Sequence, residues 1–295
     1  MLYQVWLNMK EIIKTIRNYL NLTQEDLAKD LSLTFATVNR WENGISLPNK
    51  LAQTKLYDYC IDKKVPVYQM VMDKIKNYTQ EIKLSKNQKI LYHGSKSGIS
   101  GKIAPISRDK CDFGKGFYMG TTVEQPATLI CDFEYSKIYI ISVMLTDLKV
   151  LNLKDDIEWA MFIAYNRGRM DNIKDSKFYL KYKDITEKYD VIAGSIADDR
   201  IFYVLDNFFE GNITDLALTK SLSVLKLGKQ YAALTQKACE NIKIEKEINL
   251  SFFEKKFIQQ ISKQNRDTGI SLAKDIQKKY RREGNFFDEI LERKK

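Results

Sequence analysis

The stretch LTQEDLAKDLSLTFATVNRWENGISLP, residues 22–48, decides the fold of the N-terminal part of the chain. Thr23 precedes an apolar pattern and is followed three residues later by Asp26, which is close to the capping box that begins many helices. Thr34 can cap a second helix, and Gly44 can supply the left-handed residue that ends it. The pattern therefore predicts two short helices joined by a tight turn.

Residues 16–48 resemble the helix-turn-helix of the lambda-repressor and Cro-like (XRE-type) family. The resemblance implies DNA binding, with the second helix in the major groove and Gln24 contacting a phosphate. Base edges would be contacted by Phe35, Ala36, Thr37 and Arg40. Arg40 is the best candidate for a guanine contact. Such helices can also serve dimerisation or protein docking without reading DNA, and the sequence leaves that alternative open.

Length and composition limit the class of protein. The 295 residues, 44% apolar and 29% charged, suffice for two domains or for two domains and an appendage. A net charge of +10 suits a nucleic-acid partner. The chain lacks a signal sequence and an apolar run long enough for a bilayer, so we expect a cytoplasmic protein with no membrane partner. Four scattered cysteines and a single histidine argue against a metal site.

Changes in composition and in the hydrophobic pattern divide the chain into three predicted parts. The lysine-rich connector NYTQEIKLSKNQK separates a helical domain from a segment with short β-rich runs, and basic helical patterns follow. The fold class is therefore α+β. The predicted parts are a helix-turn-helix domain over 1–76, an α+β domain over 88–247 and a helical module over 250–295. In the last part, separate helices are predicted for FFEKKFIQQISKQ, GISLAKDIQKKYRREG and FFDEILERKK.

Two motifs of the second part carry recognisable chemistry. A predicted strand ending in His93, Gly94 and Ser95 presents an imidazole, a bare backbone and a hydroxyl, which suits recognition of a flat amide. In the next predicted strand, Gly116 allows close approach of a ligand and Tyr118 offers an aromatic face. Either motif alone is more often an ordinary turn or packed strand, and their ordered pairing indicates a binding site.

The paired motifs resemble the ADP-ribosyltransferase fold of the poly(ADP-ribose) polymerase type, with its His-Tyr-Glu pattern. They also resemble uncharacterised bacterial domains of the DUF3990-like type, whose pattern ends in Gly-x-Gln-Tyr. The resemblance implies a split β-sheet domain that uses NAD as its substrate without a metal. The implied catalytic residues are His93, Tyr118 and Gln230. The implied cofactor-binding residues are His93, Gly94, Ser95, Gly116, Phe117 and Tyr118.

The resemblance also implies a role for each residue. His93 would bond a ribose, Ser95 would hold the carboxamide together with the Gly94 backbone, and Tyr118 would stack on nicotinamide. Gln230 stands where the polymerase pattern has a glutamate; an amide can hold a ribose hydroxyl but brings no negative charge to the developing cation. The departure favours mono-ADP-ribosylation over chain elongation. For Gln230, an exposed polar residue on a strand is an equally good interpretation.

Further polar residues could bind a ribose or a phosphate, although local ion pairs are the more common explanation. These residues are Arg167, Arg169, Asp198, Asp199 and Arg200.

Three functions follow from these motifs. The first is a DNA-associated mono-ADP-ribosyltransferase, the toxin or effector of a bacterial toxin-antitoxin or phage-defence system, modifying a protein or nucleic-acid acceptor. Its partners would include an antitoxin, and a homodimer is the default for this class of helix-turn-helix. The second is a transcription regulator whose inactive domain senses NAD or a nucleotide. The third is hydrolysis of NAD alone. Catalysis requires the side chains of residues 93, 95 and 118 to converge at one cleft.

Overall fold

The computed structural model describes residues 4–6, 9–197, 199–225, 228–281 and 283–293. The helices are α1 Met9–Tyr19, α2 Gln24–Asp30, α3 Phe35–Glu42, α4 Lys50–Asp62, α5 Val67–Gln80, α6 Glu124–Ile130, α7 Ile157–Asn166, α8 Lys177–Lys188, α9 Asp199–Phe209, α10 Asp215–Leu225, α11 Gln236–Glu240, α12 Phe252–Tyr280 and α13 Phe287–Arg293. The strands are β1 Gln4–Trp6, β2 Gln88–Ser95, β3 Phe117–Gly120, β4 Lys137–Met144, β5 Val150–Asn152, β6 Val191–Ser195, β7 Lys229–Ala233 and β8 Ile242–Asn249. The α+β class is therefore confirmed.

The described strands form one mixed sheet in the order β1-β8-β4-β2-β3-β7-β6-β5. The β1–β8 and β5–β6 pairs are parallel, and the other pairs are antiparallel. The β2–β3 contact has the fewest paired residues of the described strand pairs, because Tyr92 and Gly120 are its only pair in register. On its other edge β3 pairs with β7 at four positions. The sheet is therefore weakly joined at its centre.

The five N-terminal helices pack on one face of this sheet. Their buried side chains, including Ile13, Leu27 and Val38, belong to the same apolar cluster as Ile138 and Ile140 of β4. A second cluster, formed by α7, α9, α10 and α13, covers the same sheet's other half around Ile192 and Ala232. The helix-turn-helix domain and the second domain therefore share one core, although the sequence predicts two separate parts.

Helix α12 differs most from the sequence-based prediction. The sequence predicts separate helices for residues 252–264 and 269–284, whereas one helix of 29 residues includes Gly269 in its interior, where glycine weakens a helix. A Cβ atom at position 269 would lie 2.3 Å from Cδ of Arg200 in α9. The glycine is therefore explained by the close approach of α9, and α12 contacts α4 and α5 as well as α9 and α10.

The other predicted elements of the second domain are largely found. The four predicted strands correspond to β2, β3, β4 and β6, and helical patterns predict α6, α7 and α10. Strand β1 joins the sheet beside β8. Helix α5 extends to Gln80. Within the described ranges, no helix combines the length and apolarity needed to cross a bilayer.

Candidate nucleic-acid interface and candidate ligand site

Local hydrogen bonds hold the two helices of the predicted helix-turn-helix. The Thr23 backbone N–H donates to Asp26 Oδ2 at 2.9 Å, and the Asp26 N–H donates to Thr23 Oγ1 at 3.1 Å. Ser32, in the turn, has a φ of 51°, and Thr34 accepts from the Thr37 N–H at 3.2 Å. Gly44 has a φ of 71°, as a left-handed stop requires. The capping predicted from the sequence is confirmed.

Helix α3 has a buried face and an exposed face. Val38 and Trp41 are buried in the shared core. Arg40 is exposed, and Phe35 keeps 53% of its surface exposed although it is aromatic. Of the other two predicted base-contacting residues, Ala36 is exposed and Thr37 is half-buried, its hydroxyl 2.9 Å from that of Thr34. The exposed face therefore carries an apolar ring and a guanidinium.

A half-buried polar network ties α1, α2 and α3 together around the buried Glu42. Arg17 donates to both carboxylate oxygens of Glu42, at 2.7 and 3.1 Å. Gln24 Nε2 donates to the same carboxylate at 2.7 Å, and Gln24 Oε1 accepts from Asn39 Nδ2 at 3.0 Å. The side-chain amide of Gln24, predicted to contact phosphate, is thus engaged at both ends within the motif. The sequence analysis missed Glu42, because a carboxylate near a helix end gives no signal of burial.

The three strands with the predicted catalytic residues are consecutive neighbours in the sheet. Strand β2 carries His93, β3 carries Tyr118 and β7 carries Gln230. Gly120 of β3 pairs with Gln230, which pairs on its other edge with Gly194. The fold therefore places the motifs side by side, although more than a hundred residues separate the first from the last.

His93 lies in the weak join between β2 and β3. Its Nδ1 lies 2.7 Å from the Tyr118 carbonyl oxygen, and because a carbonyl can only accept, Nδ1 carries the proton. The imidazole stacks on Phe117, with 4.1 Å between the ring centroids. Burial lowers the pKa of His93, while the bond to the carbonyl opposes that shift. Burial therefore favours the neutral imidazole, with the proton on Nδ1 and Nε2 as an acceptor.

The structure does not bring the imidazole, the hydroxyl and the phenol ring together. Because side chains alternate along a strand, Tyr118 points to the face opposite Phe117 and therefore away from His93. The Tyr118 hydroxyl donates to the Gly114 carbonyl at 2.7 Å. Burial, and secondarily a nearby carboxylate, raises the pKa of Tyr118 well above its ordinary value. The Ser95 hydroxyl donates to a backbone carbonyl of the following turn at 2.8 Å.

Gln230 is buried in a polar cluster with Asp112 and Arg167. Its Nε2 donates to Asp112 Oδ2 at 3.1 Å, and the other oxygen of Asp112 accepts from Arg167 at 2.5 Å. The Arg167 guanidinium also lies 3.7 Å from the ring centroid of Phe202. Gln230 is therefore not an exposed strand residue. Asp112 was not predicted as a site residue from the sequence, although it lies just before Gly114 and Gly116.

Packing requires the motif glycines. A Cβ atom at Gly94 would lie 2.9 Å from side-chain atoms of Pro126 and Ile130, and one at Gly116 would lie 2.8 Å from the Ala233 carbonyl oxygen. These contacts account for both glycines without a ligand.

Among the remaining polar residues singled out from the sequence, Arg169 lies apart from this cluster. Arg169 pairs with Asp206 at 3.2 Å in an exposed ion pair. Asp198 and the side chain of Asp199 lie outside the described residues.

A cavity of about 550 Å³ lies where the two domains meet. Its lining comes from α5 of the N-terminal domain, from β2, from the segment joining β3 to α6 and the start of α6, from α9, and from the residue before β7. The lining residues are Lys76, Tyr92, Thr121, Thr122, Val123, Glu124, Gln125, Arg200 and Gly228. None of the predicted cofactor-binding residues is among them.

Comparison with protein families identifies both parts of the chain. Residues 13–51 match the family described as helix-turn-helix, which agrees with α1 to α3. Neither curated proteins nor solved structures gave a match. Residues 89–244, more than half of the chain, match a second family that covers β2 to β8. The chain therefore belongs to the family described as protein of unknown function DUF3990.

Proposed function

We propose that this protein is a sequence-specific DNA-binding regulator in which α3 enters the major groove. The observation that supports the proposal is the division of α3 into a face buried by Val38 and Trp41 and a face that exposes Phe35 and Arg40. A helix whose outward face carries a guanidinium can make bidentate bonds to guanine, and an exposed phenyl ring can contact a thymine methyl.

The network around Glu42 supports the same function by fixing the angle between the helices. Gln24 of α2 is bonded to both Asn39 and Glu42 of α3, so the recognition helix is held by its polar side as well as by its apolar side. A rigid reading helix loses little freedom on binding, which favours affinity.

Selection of binding sites from a pool of random duplexes tests the proposal. The purified chain is titrated at one fixed salt concentration with the selected duplex and with a scrambled duplex of equal length and composition. A specific reader prefers the selected site by at least about 1000-fold. Equal affinity for both duplexes would contradict the proposal and favour a docking role for the motif.

A second candidate function is transfer of ADP-ribose from NAD by the DUF3990 domain. The observation that favours it is the buried Asp112 carboxylate. This carboxylate accepts a hydrogen bond from Gln230, the residue that stands where the polymerase pattern has a glutamate. In such a transfer the bond between ribose and nicotinamide breaks, nicotinamide leaves, and a nucleophile of the acceptor bonds to the ribose and loses its proton. A carboxylate beside Gln230 would supply the negative charge that an amide lacks.

This is the second candidate because the implied roles of His93 and Tyr118 require both side chains to face one bound NAD, and in this arrangement they point away from each other. The transfer candidate carries three further predictions, namely a macromolecular acceptor, an antitoxin partner and a homodimer.

NAD labelled in its adenylate half, incubated with the chain and cell lysate, tests the transfer. Label on a macromolecule is the expected result, with loss of labelling in Asp112→Asn and full labelling in the control Asp109→Asn, an exposed carboxylate of the same loop. Free ADP-ribose would instead indicate hydrolysis. Unconsumed NAD would refute this candidate and leave the regulator.

A further inference from the structure

The cavity between the domains combines features that suit an organic phosphate. Lys76 and Arg200 bring two positive charges to it from different elements, α5 and α9, against one negative charge from Glu124. Thr121 and Thr122 supply hydroxyls, and Gln125 supplies an amide. Its volume of about 550 Å³ is within the range of small-molecule sites. Cations, hydroxyls and an amide around one space match the diphosphate, the sugar and the base edge of a nucleotide.

The charge on Lys76 can be redirected to a ligand at little cost. Its Nζ lies 2.8 Å from Glu124 Oε1, and the two side chains are 44% and 32% exposed. Because such an exposed ion pair contributes little to the free energy of folding, Lys76 can exchange the Glu124 carboxylate for a phosphate oxygen at a small cost in free energy. Lys76 would then bridge the N-terminal domain to a molecule held by the second domain.

Helix α5 connects the cavity to the reading helix. Next to Lys76, its buried residue Ile75 belongs to the apolar cluster that also contains Val38 and Trp41 of α3. The α9 side of the cavity is connected as well, because the Arg200 stem packs over Gly269 of α12, and α12 contacts α4 and α5. A ligand in the cavity would therefore contact α5, which shares the apolar cluster with α3, and α9, which packs on α12.

We propose that this cavity binds a nucleotide-sized organic diphosphate through Lys76 and Arg200 and that its occupancy changes the affinity of α3 for DNA. The effect on DNA affinity rests on the proposed DNA-binding function, whereas the binding of the diphosphate does not. Differential binding to two states of the chain is all that such coupling requires. The site is separate from the residues implied for NAD, since His93, Ser95 and Tyr118 do not line it.

Calorimetric titration of the full chain with ADP tests the site, with adenosine and inorganic pyrophosphate as the other probes. ADP binding with no detectable adenosine binding, and pyrophosphate binding weaker than that of ADP, is the expected pattern. Lys76→Met, which keeps the aliphatic stem, should weaken ADP binding at least about 10-fold, because a bond to a charged group is lost. The matched control is Lys74→Met, which lies on the same helix and pairs with Glu11 outside the cavity.

The outcomes separate the site from the coupling. Absence of ADP binding, or equal losses in Lys76→Met and Lys74→Met at unchanged thermal stability, would overturn the site. Pyrophosphate binding as tightly as ADP would overturn its assignment to a nucleotide.

The coupling is measured on the selected duplex with and without saturating ADP. A change in DNA affinity of at least about 5-fold, abolished by Lys76→Met, is the expected result. ADP binding with no change in DNA affinity would overturn the coupling alone. If the chain fails to discriminate between duplexes but still binds ADP, the proposed function fails and the site stands.

Discussion

Glu42→Gln should destabilise the helix-turn-helix far more than its position near the end of α3 suggests. The Glu42 side chain is 3% exposed and that of its partner Arg17 is 16% exposed. Glu42 accepts two bonds from Arg17 and one from Gln24. Breaking a buried ion pair costs about 3 to 5 kcal/mol; we expect about 3 kcal/mol, because glutamine keeps one acceptor and Arg17 retains some contact with water.

Urea unfolding of the full chain, followed by the fluorescence of its three tryptophans, among them buried Trp41, measures this loss. The matched control is Asp184→Asn, which removes an exposed pair at 3.4 Å and should change the free energy of unfolding by less than about 0.5 kcal/mol. A double-mutant cycle with Arg17→Met should give a coupling of at least about 1.5 kcal/mol. Equal midpoints for Glu42→Gln and Asp184→Asn would refute the reasoning.

Three further predictions concern buried groups. Burial raises the pKa of Glu254 to about 7 from 4.5, so the free energy of unfolding should fall by about 3 kcal/mol between pH 4.5 and 7. Glu254→Gln should remove that fall in pH-dependent urea titrations; an unchanged slope would contradict the assignment. Tyr118→Phe loses two hydrogen bonds to loop backbone and should cost about 1 to 2 kcal/mol in the same assay, whereas a neutral result would mean that the hydroxyl is solvated. Gly269→Leu should lower stability by about 2 kcal/mol through a clash with Arg200, and a gain would show that α9 yields.

The local signals of the sequence predicted the N-terminal domain well. Thr23 and Thr34 cap their helices as expected, because a cap is formed by residues three positions apart. The role of Glu42 could not be predicted, since its partner Arg17 lies 25 residues away and burial of a carboxylate depends on how three helices pack. The sequence also predicted one helix to end at residue 264 and another to begin at Gly269, because no local pattern reveals that α9 covers this glycine within a single helix.

In the second domain, the motifs predicted the strands and only part of the site. The family resemblance grouped His93, Tyr118 and Gln230 at one site, and they lie on neighbouring strands. The direction of each side chain did not, because strand alternation and the register of β2 against β3 decide it. The burial of Gln230 against Asp112 depends on a loop that folds back over β7, for which the sequence carries no local signal.

The most direct test of the account compares Arg40→Ala with wild type on the selected duplex and on its scrambled counterpart. Loss of a guanine contact should weaken binding to the selected duplex by about 10- to 100-fold and leave binding to the scrambled duplex nearly unchanged. The exposed Arg108 lies outside the motif, so Arg108→Ala serves as the control and should match wild type on both duplexes. Equal losses on the two duplexes would move Arg40 to a phosphate contact, and no loss on either would contradict the assignment of α3 as the reading helix.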